Sequence, residues 1–452
     1  MKIIISGAGA VGTYIAERLV QEKHDIVVID SDEEIVSRLA SQIDIQTVIG
    51  NASSLETLNR AGVQSADIFI AATSSDEANL ITCMLADSLN EQIRIIARIK
   101  GLVTDDSGLS PRMLEIFDEF INPDLEAAHV LLNLLEVPGA TEVIDFADGK
   151  ARVVGVKLPE DSRVIGKKLK DLRNESPEEK ILVVAISRED QLFIPRGEDS
   201  LAVGDTVYLV SETSRTDKVL EAAGVDRTPI KNVMIYGGLG SGVLLAKHLA
   251  EKDIRVKLVS RNSDCCEQIA DALNGVVILN GEGTDKDLLL EEGIEDVDVF
   301  IGATEDDENN ILGSLLAKKL GAKRTAVLVN NMSYAGLVDT VGVDIVVNPR
   351  TVAASSILKF VRKGSLSVFS IRDDSAEVLE TVAREDSAMV GKPLKDLKLP
   401  AGAIVGAIVR ENSLIVPTGE SVIEAGDRVV LFFDREAVPK LEKILDAGVS
   451  FF

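Results

Sequence analysis

The sequence predicts an α/β chain in which two doubly wound parallel sheets are each followed by a small α+β domain. Three observations point there. Residues 1–30 (MKIIISGAGAVGTYIAERLVQEKHDIVVID) and 231–260 (KNVMIYGGLGSGVLLAKHLAEKDIRVKLVS) both read as strand, Gly-rich turn, amphipathic helix and strand, so the chain is duplicated. Short apolar strand signals then alternate with helical patterns down each copy, the signature of a parallel sheet. After each copy comes a β-rich stretch, and these two stretches also echo each other. A tandem pair of ligand-reading domains points to a sensor more than to a catalyst.

The first copy carries strand signals at Ile3–Ile5, Ile26–Ile29, Gln46–Ile49, Asp67–Ala72, Arg94–Ile99 and Glu119–Ile121. The second repeats them at Val233–Ile235, Val256–Val259, Val276–Leu279, Asp298–Ala303, Thr325–Val329 and Asp344–Val347. Each copy closes on Asn-Pro (Asn122-Pro123, Asn348-Pro349) and a helix, AAHVLLNLLEV or VAASSILKFVRKG. In the β-rich stretches, GKKLKDL (Gly166–Leu172) matches GKPLKDL (Gly391–Leu397). Gly204-Asp205 and Gly426-Asp427 read as turns into a last strand, with glycine supplying positive φ. The expected domains are 1–135, 136–220, 230–362 and 365–452, with a linker near Glu212–Pro229.

Composition narrows the function. The formal net charge is −26 and neither half has a basic excess, which argues against nucleic acid or anionic lipid as direct partners. Met1-Lys2 runs straight into the first strand, so no signal peptide is expected. The longest apolar run, near Ala401–Val409, is about half the ~20 residues that a membrane span needs. Cys83, Cys265 and Cys266 offer neither metal-ligand spacing nor a disulfide framework, which fits a reducing cytoplasm.

Gly7-Ala8-Gly9-Ala10-Val11-Gly12 fits G-x-G-x-x-G between a strand and a helix, the Rossmann fingerprint. Gly7 permits the tight turn, Gly9 lets the backbone approach a pyrophosphate, and Gly12 allows close helix–strand packing. The helix N-terminus offers unpaired N–H groups to phosphate. Asp30, ending the second strand, stands where a carboxylate accepts from a ribose 2′-OH, which favours NAD over NADP. The second copy reads Gly237-Gly238-Leu239-Gly240-Ser241-Gly242, with Leu239 for the middle glycine and Ser260-Arg261 where Asp30 stood. That site is either degenerate or uses Arg261 on a phosphate. Thr73 lies at a strand C-terminus, where doubly wound sheets bind ligands. Arg98 is read as a phosphate partner, with a surface salt bridge as the alternative. Asp76 and Glu77 are read as acids favouring a helix start.

Further residues carry a resemblance. The first copy has Gly50-Asn51-Ala52, Leu58-Asn59-Arg60-Ala61-Gly62-Val63 and Ala71-Ala72-Thr73-Ser74-Ser75-Asp76-Glu77-Ala78-Asn79; the second has Gly281, Glu292-Gly293-Ile294 and Gly302 through Asn310. With the GK-x-L segments and the matching stretches FIPRGEDSLAVGD and IVPTGESVIEAGD, the whole chain resembles the TrkA family, RCK-domain (regulator of K⁺ conductance) regulatory subunits of Trk-type potassium uptake systems. The resemblance implies RCK N-type domains at 1–135 and 230–362 and C-type domains at 136–220 and 365–452. It implies NAD(H) in the first site and an adenine nucleotide (ATP or ADP) as a further ligand, including in the second. Contacts carry over onto Gly7, Ala8, Gly9, Ala10, Val11, Gly12, Asp30, Thr73, Ser74 and Arg98, and in the second copy onto Gly237, Gly238, Leu239, Gly240 and Ser241. Two residues depart from the family pattern: Asn51 stands for an Asp, and Leu328 for the second arginine.

The same resemblance implies a cytoplasmic homotetramer of eight RCK units, peripheral at the cell membrane beneath a separate K⁺ channel-like subunit. The apolar faces of the Pro123–Val137 and Pro349–Val361 helices are expected to be exposed in an unpaired chain and to drive that assembly. No metal site and no catalytic residue is assigned. Regulation of another cation transporter or antiporter is the alternative. A nicotinamide-dependent oxidoreductase is a lesser one, because it needs a proton donor that His24, His129 and His248 do not readily supply.

Overall fold

A computed structural model describes residues 1–101, 114–175, 182–189, 191–225, 228–361, 368–371, 376–411, 413–434, 436–437 and 441. The chain divides into two compact units, one of residues 1–132 with 230–361 and one of residues 133–229 with 362–451.

The first unit holds two parallel sheets. One is built from β1 (Lys2–Ser6), β2 (Asp25–Asp30), β3 (Gln46–Ile49), β4 (Ile68–Ala71), β5 (Arg94–Arg98) and β6 (Glu119–Ile121), in the order β3-β2-β1-β4-β5-β6. Helices α1 (Ala10–Gln21), α2 (Glu33–Gln42), α3 (Leu55–Ala61), α4 (Asp76–Leu89) and α5 (Pro123–Glu136) belong to this copy. Each expected strand is present, and β4 and β5 are trimmed at their ends, where the chain turns toward the next element. The apolar runs are continuous because helices cover both faces, and Ile3, Ile4 and Ile5 are all fully buried. On α1, Val11, Ile15, Ala16 and Leu19 form the buried stripe.

The second unit has two antiparallel sheets. β7 (Ala140–Phe146), β8 (Ala151–Lys157), β9 (Leu182–Arg188), β10 (Gln191–Phe193) and β11 (Thr206–Glu212) pair in the order β10-β9-β11-β8-β7, with helices α6 (Leu169–Glu175) and α7 (Thr216–Ala222). Helix α7 lies inside the stretch expected as linker. Val219 and Leu220 are buried at its core-facing side, so that stretch belongs in part to the domain.

The other parallel sheet of the first unit is β12 (Asn232–Tyr236), β13 (Arg255–Ser260), β14 (Val276–Asn280), β15 (Val299–Gly302), β16 (Arg324–Leu328) and β17 (Ile345–Val347), ordered β14-β13-β12-β15-β16-β17. Its helices are α8 (Ser241–Ala250), α9 (Ser263–Ala272), α10 (Lys286–Glu291), α11 (Asp307–Leu320), α12 (Met332–Val341) and α13 (Pro349–Val361). The last sheet holds β18 (Val368–Ile371), β19 (Ala376–Val382), β20 (Ala403–Arg410), β21 (Ser413–Ile415) and β22 (Arg428–Phe433), ordered β18-β19-β22-β20-β21. This is the topology of the β7–β11 sheet over again.

The turns into β11 and β22 are built as the sequence implies, with φ of +82° at Gly204 and +88° at Gly426. The aspartate after each is buried and holds an arginine fork. Arg188 Nε and Nη2 donate to Asp205 at 2.8 and 2.7 Å, and Arg410 Nε and Nη2 donate to Asp427 at 2.9 Å each. The arginine stands 17 residues before the aspartate in both repeats, a signal that repeat alignment carries.

One packing feature overturns an expectation. Helix α13 follows the second parallel sheet in sequence yet packs on the first. Ala353, Ala354, Ile357, Leu358, Phe360 and Val361 join one core with Ile3, Ile5, Ile15 and Leu19. Helix α5 makes the reciprocal crossing. Its Asp124 accepts from Ser241 Oγ at 3.0 Å, and the His129 and His248 rings meet edge-on at 6.1 Å. Ser356 Oγ donates to Glu126 at 2.6 Å, tying the two crossing helices together. The apolar face of α13 is therefore covered within one chain rather than left for another chain. An apolar stripe fixes that a helix must be buried, not against which sheet.

Candidate nucleotide site

The first Gly loop sits at the C-terminal end of β1, where the strand order reverses between β1 and β4. Gly7 has φ +105°, and a Cβ there would lie 2.9 Å from the Thr73 backbone nitrogen. The loop can therefore nest against the β4–α4 turn only as glycine. A side chain on Gly12 would run into the Gly7 carbonyl, so α1 starts hard against β1. Gly9 faces open space with no atom within 4 Å of an added Cβ, which leaves room for a ligand. Ala8 and Val11 are buried while Ala10 is exposed at the first turn of α1.

Asp30 is brought to this loop as the motif requires. Its carboxylate accepts from the Ala8 backbone N–H at 2.6 Å and from the Asp32 N–H at 3.0 Å. Charge-assisted bonds of this kind fix a carboxylate's orientation. Thr73 and Arg98 also converge, through Asn79. Asn79 Oδ1 accepts from Thr73 N–H at 3.0 Å and from Thr73 Oγ1 at 2.6 Å, and Asn79 Nδ2 donates to the Arg98 carbonyl at 2.7 Å. Arg98 Nη1 in turn donates to the Thr73 carbonyl at 2.8 Å. The six-residue step from Thr73 to Asn79 recurs as Thr304 to Asn310, with equivalent bonds to Thr304 and onto the Leu328 carbonyl.

Arg98 is thus a half-buried, positioned cation rather than a surface ion pair. Its Nε is buried without a hydrogen-bond partner. Burial pulls the guanidinium below its usual range; Asp76 and Asp124 oppose this, and Arg350 adds to it. Ser74 is exposed at the turn beyond Thr73. Asp76 does start α4, and it also clamps the next loop by accepting from the Lys100 and Gly101 N–H groups. Asn51 Oδ1 accepts from Ser53 N–H at 2.8 Å, closing its own turn.

The second loop is built differently. Gly237 repeats the close approach, against the Ala303 carbonyl. A side chain on Gly238 would strike Ser260, the buried residue at the position of Asp30, so no acid stands at that position of the second loop. Leu239 projects into solvent, 64 % exposed. Arg261 pairs with Glu282 at 3.7 Å. Gly240 has φ +50° and lies against Asp124, which also takes the Ser241 hydroxyl.

Among the described residues no group of three or more His, Cys, Asp or Glu is placed to hold a metal ion, and no helix is long and apolar enough to cross a membrane.

Comparison with known proteins agrees along the whole length. Residues 3–106 and 233–349 match the TrkA-N domain, and residues 153–224 and 378–446 match the TrkA-C domain. The chain is 35 % identical over 458 residues to the Trk system potassium uptake protein TrkA of Azorhizobium caulinodans, and 36 % identical over 458 residues to that of Halomonas elongata; both alignments cover 100 % of each chain. Among solved structures, the GsuK channel bound to NAD superposes with TM-score 0.59 at 19 % identity, covering 98 % of this chain and 78 % of that one, which shows a shared fold. With both domain types matched twice and full-length relatives of that name, the chain belongs to the TrkA family of Trk-system potassium uptake proteins.

Proposed function

We propose that this chain is the nucleotide-sensing regulatory subunit of a Trk-type K⁺ uptake system, reading NAD(H) at its first loop. The observation that carries the nucleotide reading is the convergence of Asp30, the open Gly9 face and the Asn79-braced Thr73–Arg98 pair on one strand-end crevice. Asp30 holds the ribose hydroxyls, the α1 N-terminus takes the pyrophosphate, and Arg98 supplies positive charge. Thr73 and Ser74 line the opposite lip. The full-length relatives' name supports the K⁺ role.

The reading is regulatory rather than catalytic. His24 precedes β2, at the end of the sheet away from the loops, and His248 Nδ1 bonds the Leu244 carbonyl. Neither stands ready to exchange a proton with a nicotinamide.

Assembly follows from surfaces still open after the crossing helices are paired. Ile81 and Met84 on α4 are 50 % and 40 % exposed, and Leu312 on α11, the repeat counterpart of Ile81, is 58 % exposed. Apolar residues repeated on two equivalent helices mark interfaces to further copies. The chain then acts as a homotetramer of eight units, cytoplasmic and held at the membrane by its channel-like partner. Tagged protein drawn from detergent-solubilised host membranes should carry an integral-membrane subunit, with light scattering giving four copies of this chain. A stable monomer at micromolar concentration with no membrane partner would count against both statements.

A further inference from the structure

The two loops differ in the charge that the crossing helices bring to them. Helix α5 enters from the first copy and delivers Asp124 to the second loop. Its Oδ1 accepts from Ser241 Oγ at 3.0 Å, and a Cβ on Gly240 would stand 2.8 Å from its Oδ2. Gly240 is the N-cap of the ten-residue helix α8, and no side chain of its own caps that end. The carboxylate therefore lies against the glycine loop at the N-terminus of α8, the helix end that draws a phosphate in loops of this type. Asp124 is itself held in place, since its N–H donates to Asn122 Oδ1 at 3.0 Å.

The first loop lacks this arrangement. Position 11, the counterpart of Ser241, is a buried valine with no hydroxyl to offer. The residue following Pro349, where Pro123 is followed by Asp124, is Arg350. Helix α13 thus begins with a cation where α5 begins with an anion, and Arg350 lies near enough to Arg98 for their charges to interact. The two equivalent helix starts carry opposite charge, and both Asp124 and Arg350 bear on Arg98.

We propose that Asp124 is a tethered anion that occupies the phosphate position of the second loop, so that a nucleotide binds there only by displacing it. This rests on reading both loops as nucleotide sites. It makes the second loop a latched site: the helix that reports on the first sheet also holds the second loop closed. Bringing a phosphate beside the carboxylate sets two anions against each other in a partly dry crevice, so the latch must swing out first.

The test is ADP titration of the full chain with the first loop saturated by NADH. Hydrogen exchange of the segment 238–244 locates the ADP. Asp124→Asn keeps the shape and the Ser241 bond without the charge, while Asp124→Ala removes the occupant. At least one of the two should bind ADP at the second loop tenfold or more tighter than the native chain. If both stay within threefold of native while the tetramer persists, the latch is refuted. Failure of NADH to bind the native chain would instead strike the first-site reading, and the ADP comparison would still decide this one.

Discussion

Asp30→Ala should weaken NAD(H) binding by roughly ten- to a hundredfold, because losing hydrogen bonds to one charged group costs ~1.5–3 kcal/mol. The carboxylate does two things at once. It already accepts from the Ala8 and Asp32 N–H groups, which orients it, and each oxygen keeps acceptor capacity for a ribose hydroxyl. Asp30→Asn separates the two roles, since its amide oxygen can still accept from Ala8 while the charge is gone. Calorimetry should rank the affinities native, Asn, Ala. Ser260→Ala, at the equivalent position of the second copy, should change NAD(H) affinity little, because Ser260 packs against Gly238 and presents no acid. An Asp30→Ala affinity within threefold of native would mean that the ribose is held elsewhere.

The second large effect concerns the crossing helices. Ile357→Ala in α13 should destabilise by about 2–5 kcal/mol, the usual cost of truncating a fully buried Ile without refilling the space. Ile357 is fully buried in a core shared with Ile3, Ile5, Ile15 and Leu19. The loss should therefore fall on the first sheet, although the residue follows the second in sequence. Hydrogen exchange reads this directly: protection in β1 and α1 should drop before protection in β12 and α8. Faster exchange confined to β12 and α8 would contradict the exchanged packing.

These two cases show what the sequence made legible. Asp30 could be named because its relation to Gly7–Gly12 is local, fixed by one strand–turn–helix–strand unit. The strands were equally readable, since runs such as Ile3–Ile5 and Ile68–Ile70 are apolar throughout and bounded by turns. The destination of α13 was not readable, because Ala353, Ile357 and Phe360 declare only that one face is covered. Asn79 stands in the repeated motif, yet its role depends on bonds to Thr73 and Arg98 that the ends of β4 and β5 bring together. Asp124 looked like an acid opening a helix, and only the crossing places it against Gly240. Sequence exposes local geometry and burial; it hides which of two similar surfaces a repeated helix selects.

The most direct test of the regulatory reading is K⁺ uptake, followed as Rb⁺ flux, in the host lacking this gene and complemented in turn with native chain and Asp30→Ala. Deletion should alter uptake and the native chain should restore it. The Asp30→Ala chain, present at equal abundance and in the same oligomeric state as the native chain, should lose the dependence of uptake on cellular NAD(H). Uptake unchanged by the deletion would contradict the account.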